Sequence, residues 1–252
     1  MPPKMMETKK SHNQLTFLEH LDELRSCLIR SILAIIVAAC FFYQYIHQAM
    51  DFLIRPVGSV VFTSPAEALM AHITLTMLGA VLLASPYILY QIWNFISAGL
   101  KAQEQKLLSI FLPASLFLFI LGALFAYFII LPIALKFFLS FSSSMLRPMI
   151  TIGKYVSFVV TLVLSFAVVF ELPVVIAILT TMGIVTPDFL RQKRRLAIVI
   201  ILIVSAILTP PDCVSQLLMA IPIIVLYEIS IGLAALINPS IHQKCQSCAR
   251  ES

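Results

Sequence analysis

Apolar and polar positions in this chain segregate into long blocks. Six apolar stretches are legible: Cys27–Ile46, Ala68–Phe95, Leu107–Leu131, Tyr155–Met182, Leu196–Leu208 and Val214–Ile237. The charges sit almost entirely between them. A soluble helix carries a polar face at 3.6-residue spacing, whereas these blocks are apolar all round, as lipid-facing helices are. In hydrocarbon a helix also satisfies its own backbone hydrogen bonds. The pattern predicts an all-α membrane protein with six transmembrane helices. Pro86, Pro113, Pro173 and Pro222 fall inside four blocks. Each removes a backbone donor and kinks its helix, which spanning helices tolerate when neighbours compensate. Helices five and six are expected to be short. The fifth block holds about 13 apolar residues, roughly 20 Å of helix against a hydrocarbon core of about 30 Å. Such a helix thins the bilayer or shelters behind neighbours.

The blocks occupy nearly the whole chain of 252 residues. One integral membrane domain is therefore expected over 1–252: a polar tail at 1–16, a six-helix core at 17–237 and a second tail at 238–252. The first 25 residues are polar, unlike a cleavable signal peptide, whose apolar core follows a short basic region at once. Mean hydropathy is +1.00, and only 12% of residues are charged.

The net charge of +5 changes the picture only through its distribution. With the N-terminus inside, Arg55, Lys136, Arg147 and Lys154 are the outer cations, and the other thirteen of 17 Lys and Arg lie inside. This asymmetry predicts both termini in the cytoplasm. No basic and aromatic stripe or recognition module points to nucleic acid. The five cysteines form no disulfide framework, and a lone Cys245/Cys248 pair in a polar tail is a weak metal signal. No metal site or cofactor is expected. HExxH, GxxxxGK[ST], GxGxxG and GxSxG are all missing, so no catalytic residues are assigned and an enzyme is not expected.

The rare polar groups carry the candidate chemistry. Glu19, Asp22 and Glu23 cluster before the first block, and Glu104 lies between blocks two and three. Carboxylates at an interface receive guanidinium groups in bidentate, charge-assisted pairs. They equally solvate a loop or pair with Lys101 or Lys106. Glu171 stands inside block four, where a carboxylate costs about 2.5 kcal/mol or more on insertion scales, so a functional role is the default reading. Proton relay, helix–helix contact and substrate contact are all open to it. Gln216 fits an interhelical hydrogen bond, and Asp212 a cap of helix six.

Four segments in order resemble one family: FLEHLDELR, ASPYILYQIWNFISAGLKAQE, FELP and LTPPDCVSQLLMAIPIIVLYEI. Over about Phe17 to Leu236 the chain is similar to TatC, the multispanning receptor subunit of the twin-arginine protein translocase. The resemblance implies a glove-like, concave bundle in the cytoplasmic (inner) membrane. It implies that Glu23 and Glu104 receive the paired arginines of a signal peptide, with Arg25 and Phe95 at the same site. It marks Pro56 as structurally important beside Pro173. It places Glu171 on the concave surface, and Gln216 where TatA- or TatB-like single-span subunits dock. It further implies self-association in a receptor complex, folded substrate proteins and the proton-motive force. Ala98 stands where the family usually has proline, and Lys101 lies where it usually has an aromatic. The competing reading is a small-solute or proton-coupled secondary transporter using Glu171, with Glu228 as a second acid.

Overall fold

The computed structural model describes the backbone of residues 17–58, 60–98, 105–140, 149–208 and 213–248, and side chains within 22–58, 60–96, 111–140, 149–208 and 216–237. Helices account for nearly all of it. Helix α1 (Phe17–Tyr43) leads to the short α2 (Ile46–Ile54), then to the long α3 (Pro65–Ala98). Next come α4 (Gln105–Phe125), a π-helical turn (Ala126–Ile130) and α5 (Leu131–Ser140), stacked end to end. Helices α6 (Ile152–Val169) and α7 (Leu172–Thr181) follow, then α8 (Pro187–Gln192), α9 (Arg194–Leu208) and α10 (Cys213–Cys248).

Among the described residues, five helical stretches are long and apolar enough to cross a membrane: Asp22–Tyr43, Pro65–Ile96, Phe111–Ser140, Ile152–Thr181 and Gln216–Ile237. They match blocks one to four and six. Block five forms α9, whose 15 residues make roughly 22 Å of helix. Helix six is not short: α10 runs for 36 residues, because helical hydrogen bonding continues after the apolar run ends near Ile237. Residues 238–248, expected as a tail, extend that helix. Helix α1 likewise begins ten residues before its apolar block, since FLEHLDELR is itself built of good helix formers.

Prolines shape the bundle in different ways. Pro86 and Pro113 lie inside α3 and α4. The widened π turn ends just before Pro132, whose ring and missing N–H fit poorly into the ordinary i→i−4 ladder. Pro173 was expected within one kinked helix. Instead block four breaks at Phe170 and Glu171, and Pro173 occupies the first turn of α7, where its missing N–H removes no hydrogen bond. Gly183, at φ +71°, ends α7. The Gly183 and Ile184 N–H groups bond back to Thr180 O and Leu179 O, a Schellman closure that favours glycine.

Helices α6 and α7 form the centre, with Val156, Val159, Phe166 and Ala167 essentially inaccessible. Phe125, Phe166 and Phe170 pack ring on ring beside them. Here α4 and α6 approach closely: a Cβ on Gly122 would lie 2.7 Å from Phe166 O. A second cluster joins Ile176 of α7, Leu190 of α8, Ile201 of α9 and Ala220, Ile223 and Tyr227 of α10. Helix α2, missed in the sequence, buries Ile46, Met50 and Leu53 along one stripe and covers the ends of its neighbours.

Candidate functional site

Three polar regions stand out, one at each end of the bundle and one within it. The first is where α1 begins and α3 ends. These helices pack antiparallel. The ring of Phe42 occupies the space a Cβ on Gly79 would need, and Arg30 lines a common groove with Tyr87. The same register carries Glu23 opposite Phe95. Both are partly buried and both are engaged in contacts. Arg25, two residues further along α1, is exposed. Glu104 lies outside the described residues, in the segment between Ala98 and Gln105 that leaves this end of α3.

The second region is Glu171. It stands at the junction of α6 and α7, ten residues from Thr181, about 15 Å along the helix. At the break between the two helices its side chain meets α4, where Ser115 Oγ donates a 2.7 Å hydrogen bond to Oε2. Ser115 is completely buried. Oε1 is also shielded from solvent and has no partner among the described residues. The site therefore holds a carboxyl group with one oxygen anchored and one available. Ser115 was not singled out in the sequence. Its signal was faint: one of two serines in a block of apolar residues, 56 positions away.

Other polar contacts tie neighbouring helices together. Gln216 Nε2 donates to Leu202 O at 2.9 Å, tying α10 to α9, and thereby occupies a carbonyl in the short helix. Tyr227 OH donates to Leu190 O at 3.0 Å. Arg194 donates to Glu228 at 2.8 Å, both side chains half exposed. Glu228 is thus engaged with the basic α8–α9 segment and is not joined with Glu171 in one site. Asp212 lies outside the described residues.

The third region is the opposite end, where the loop after α2 meets the start of α6. Val61 and Thr151 form a parallel bridge, with Val61 N–H on Ile150 O at 3.0 Å and Ile152 N–H on Val61 O at 2.9 Å. Glu67 completes the join. Its Oε2 accepts from Thr63 N–H and Oγ1 at 2.9 and 2.6 Å, and its Oε1 accepts from Gly153 N–H at 3.0 Å. A Cβ on Gly153 would come within 2.7 Å of Glu67 Cγ, so the glycine makes room for the contact. Tyr155 and Tyr127 hydroxyls donate to Leu53 O and Phe52 O at 2.7 and 2.8 Å. Pro56 lies exposed in the turn that leaves α2, next to these carbonyls. Sequence reasoning missed Glu67: it sits at the edge of an apolar block, where a solvated carboxylate is unremarkable.

Comparison with known proteins gives a consistent result. The family model described as Sec-independent protein translocase protein (TatC) matches residues 19–222. The Sec-independent protein translocase protein TatC of Carboxydothermus hydrogenoformans is 41% identical over 230 residues, covering 89% of this chain and 95% of that protein. The TatC of Aquifex aeolicus is 40% identical over 226 residues, covering 86% and 94%. A crystal structure of the twin arginine translocase receptor TatC superposes with a TM-score of 0.80 at 40% identity, over 87% of this chain and 99% of that one.

Proposed function

The chain belongs to the TatC family of Sec-independent protein translocase proteins, and from that premise we propose that it is the signal-peptide receptor of a twin-arginine translocase. Six helices cross the cytoplasmic membrane, α9 being the short fifth crossing, and both termini face the cytoplasm. The end at which α1 starts and α3 stops is then the cytoplasmic end.

The observation that carries this reading is the antiparallel α1–α3 register. It gathers Glu23 and Phe95 at one end, beside the departure of the segment containing Glu104. Two carboxylates at an interface suit two guanidinium groups, because the planar fork of arginine meets both carboxylate oxygens and a lysine ammonium does not. Phe95 offers an apolar contact for the residues after the arginines. Arg25 sets the local charge and keeps the rim from being uniformly acidic.

Once held, the apolar part of the signal peptide lies against the bundle, toward Glu171. The free oxygen of that carboxyl is placed to accept a hydrogen bond from an inserted segment or a partner helix. The α9–α10 edge, braced by Gln216, receives TatA- and TatB-like single-span subunits. Further copies of the chain complete the receptor complex, and the proton-motive force drives passage of the folded substrate.

Binding of a labelled twin-arginine signal peptide to the purified chain in nanodiscs tests the reading. The comparison set is the same peptide with two lysines, and the Glu104→Ala and Glu23→Ala variants. Losing a charge-assisted pair costs about 1.5–3 kcal/mol, which weakens binding roughly 10- to 150-fold. Equal affinity for both peptides, or unchanged affinity in both variants, rejects the arginine site.

A further inference from the structure

Helix α1 presents a feature that signal-peptide recognition does not use. Its apolar stretch is the least buried of the five, only 6% of it lying inside the bundle. Arg30 sits within that stretch, exposed, and has no ion-pair partner among the described residues. A cation within an apolar span is costly unless something neutralises it, and such residues are nearly always paired. The described carboxylates on α1 do not supply the partner. Asp22 and Glu23 lie eight and seven residues before Arg30, about two turns away.

Arg30 heads an open groove of about 530 Å³ between α1 and α3. Below it the walls are apolar: Ala34 and Ala38 on α1, Leu83 and Ala84 on α3, with Tyr87 beside the guanidinium and Phe41 closing the far end. The two alanines keep the floor low, and an elongated apolar chain fits between the larger side chains. From Arg30 to Phe41 the groove follows about 16 Å of helix, close to half of the ~30 Å hydrocarbon core, or one leaflet. Side chains on a helix tilt toward its N-terminus. The Arg30 guanidinium therefore reaches back toward the start of α1 and the adjacent headgroup layer, while the groove descends the other way.

One cation at headgroup level over an apolar channel one leaflet deep matches a single kind of occupant. We propose that the α1–α3 groove is a binding site for an anionic phospholipid. Its phosphate pairs with Arg30, and one acyl chain lies along Ala34, Ala38 and Ala84. The lipid fills the face that the protein leaves open and neutralises the cation that no carboxylate among the described residues reaches.

The test is native mass spectrometry of the full chain released from nanodiscs of equal phosphatidylglycerol and phosphatidylcholine, counting retained lipids. The intact chain is expected to retain phosphatidylglycerol about five-fold over phosphatidylcholine, the preference one cation near a charged headgroup supports. Arg30→Gln, at an exposed position, is expected to keep its helicity and lose the preference, and Arg30→Lys to keep part of it. Ala38→Leu, which fills the groove, is expected to lower retention of both lipids. No preference in the intact chain, or an undiminished preference in Arg30→Gln, overturns the proposal. So does a lipid-free dimer that Ala38→Leu abolishes, which would assign the groove to a second copy.

Discussion

Helices α1 and α6–α7 are both apolar enough to cross a membrane, yet they live in different surroundings. In an 18-residue apolar window of Asp22–Tyr43, 6% of residues are buried inside the protein, and in one of Ile152–Thr181, 56%. Hydrophobicity does not explain the contrast, because lipid is as apolar as a protein core. The difference lies in small residues, close backbone approach and hydrogen bonds. Helix α6 has Gly122 of α4 against it, Gly153 at its start for Glu67, and Tyr155 donating to Leu53 O in the last turn of α2. Helix α1 packs chiefly against α3, through apolar contacts, and shows Ile32, Ile36 and Val37 to the outside. In a bilayer, what holds a helix centrally is fit, not greasiness.

The sharpest way to break that contrast is a single methyl group. Gly122→Ala drives a Cβ into Phe166 O and the Phe170 ring and is expected to cost about 1–3 kcal/mol. Thermal unfolding in detergent, followed by circular dichroism, reads the loss. Gly232→Ala in α10 meets nothing within 4 Å and is expected to be neutral or to gain up to about 1 kcal/mol from helix propensity. If the two variants melt alike, close approach at α4–α6 is not what holds the centre.

A smaller effect is expected at the end where α6 starts. Glu67→Gln keeps the shape but not the charge that three donors converge upon, so the join between the loop after α2 and α6 loosens. Hydrogen exchange at Val61, Thr151 and Gly153 is expected to speed up while the centre of α6 stays protected. Uniform acceleration throughout α6 would show that Glu67 supports the whole helix rather than its end. The smallest effect belongs to α1. Ile36→Ala, at an exposed position, is expected to change stability by no more than about 0.5 kcal/mol. A loss as large as that of Gly122→Ala would mean that this face is covered by a partner helix.

The sequence made the long helices legible because membrane crossing imposes a single strong demand, about 20 apolar residues in a row. It hid the short ones. Ile46–Ile54 was absorbed into the end of block one and the loop beyond it, and its amphipathic stripe became visible only against a bundle. The break at Glu171 was also hidden, since Pro173 reads equally as a kink inside a helix or as the start of a new one. At the site, Glu171 was conspicuous because a carboxylate among apolar residues is conspicuous. Its partner Ser115, and the Glu67–Gly153 contact across 86 positions, depend on which helices meet, and no local pattern encodes that.

Helix α1 is also longer than a membrane is thick. Its 27 residues make about 40 Å of helix, roughly 10 Å more than the hydrocarbon core. A rod gripped along one side only takes its tilt from the slab it stands in, leaning further as the slab thins. The protruding end, with Glu23 on it, would swing relative to Phe95 whenever the surrounding lipid changes thickness. The geometry of that acidic rim is therefore a property of chain and bilayer together.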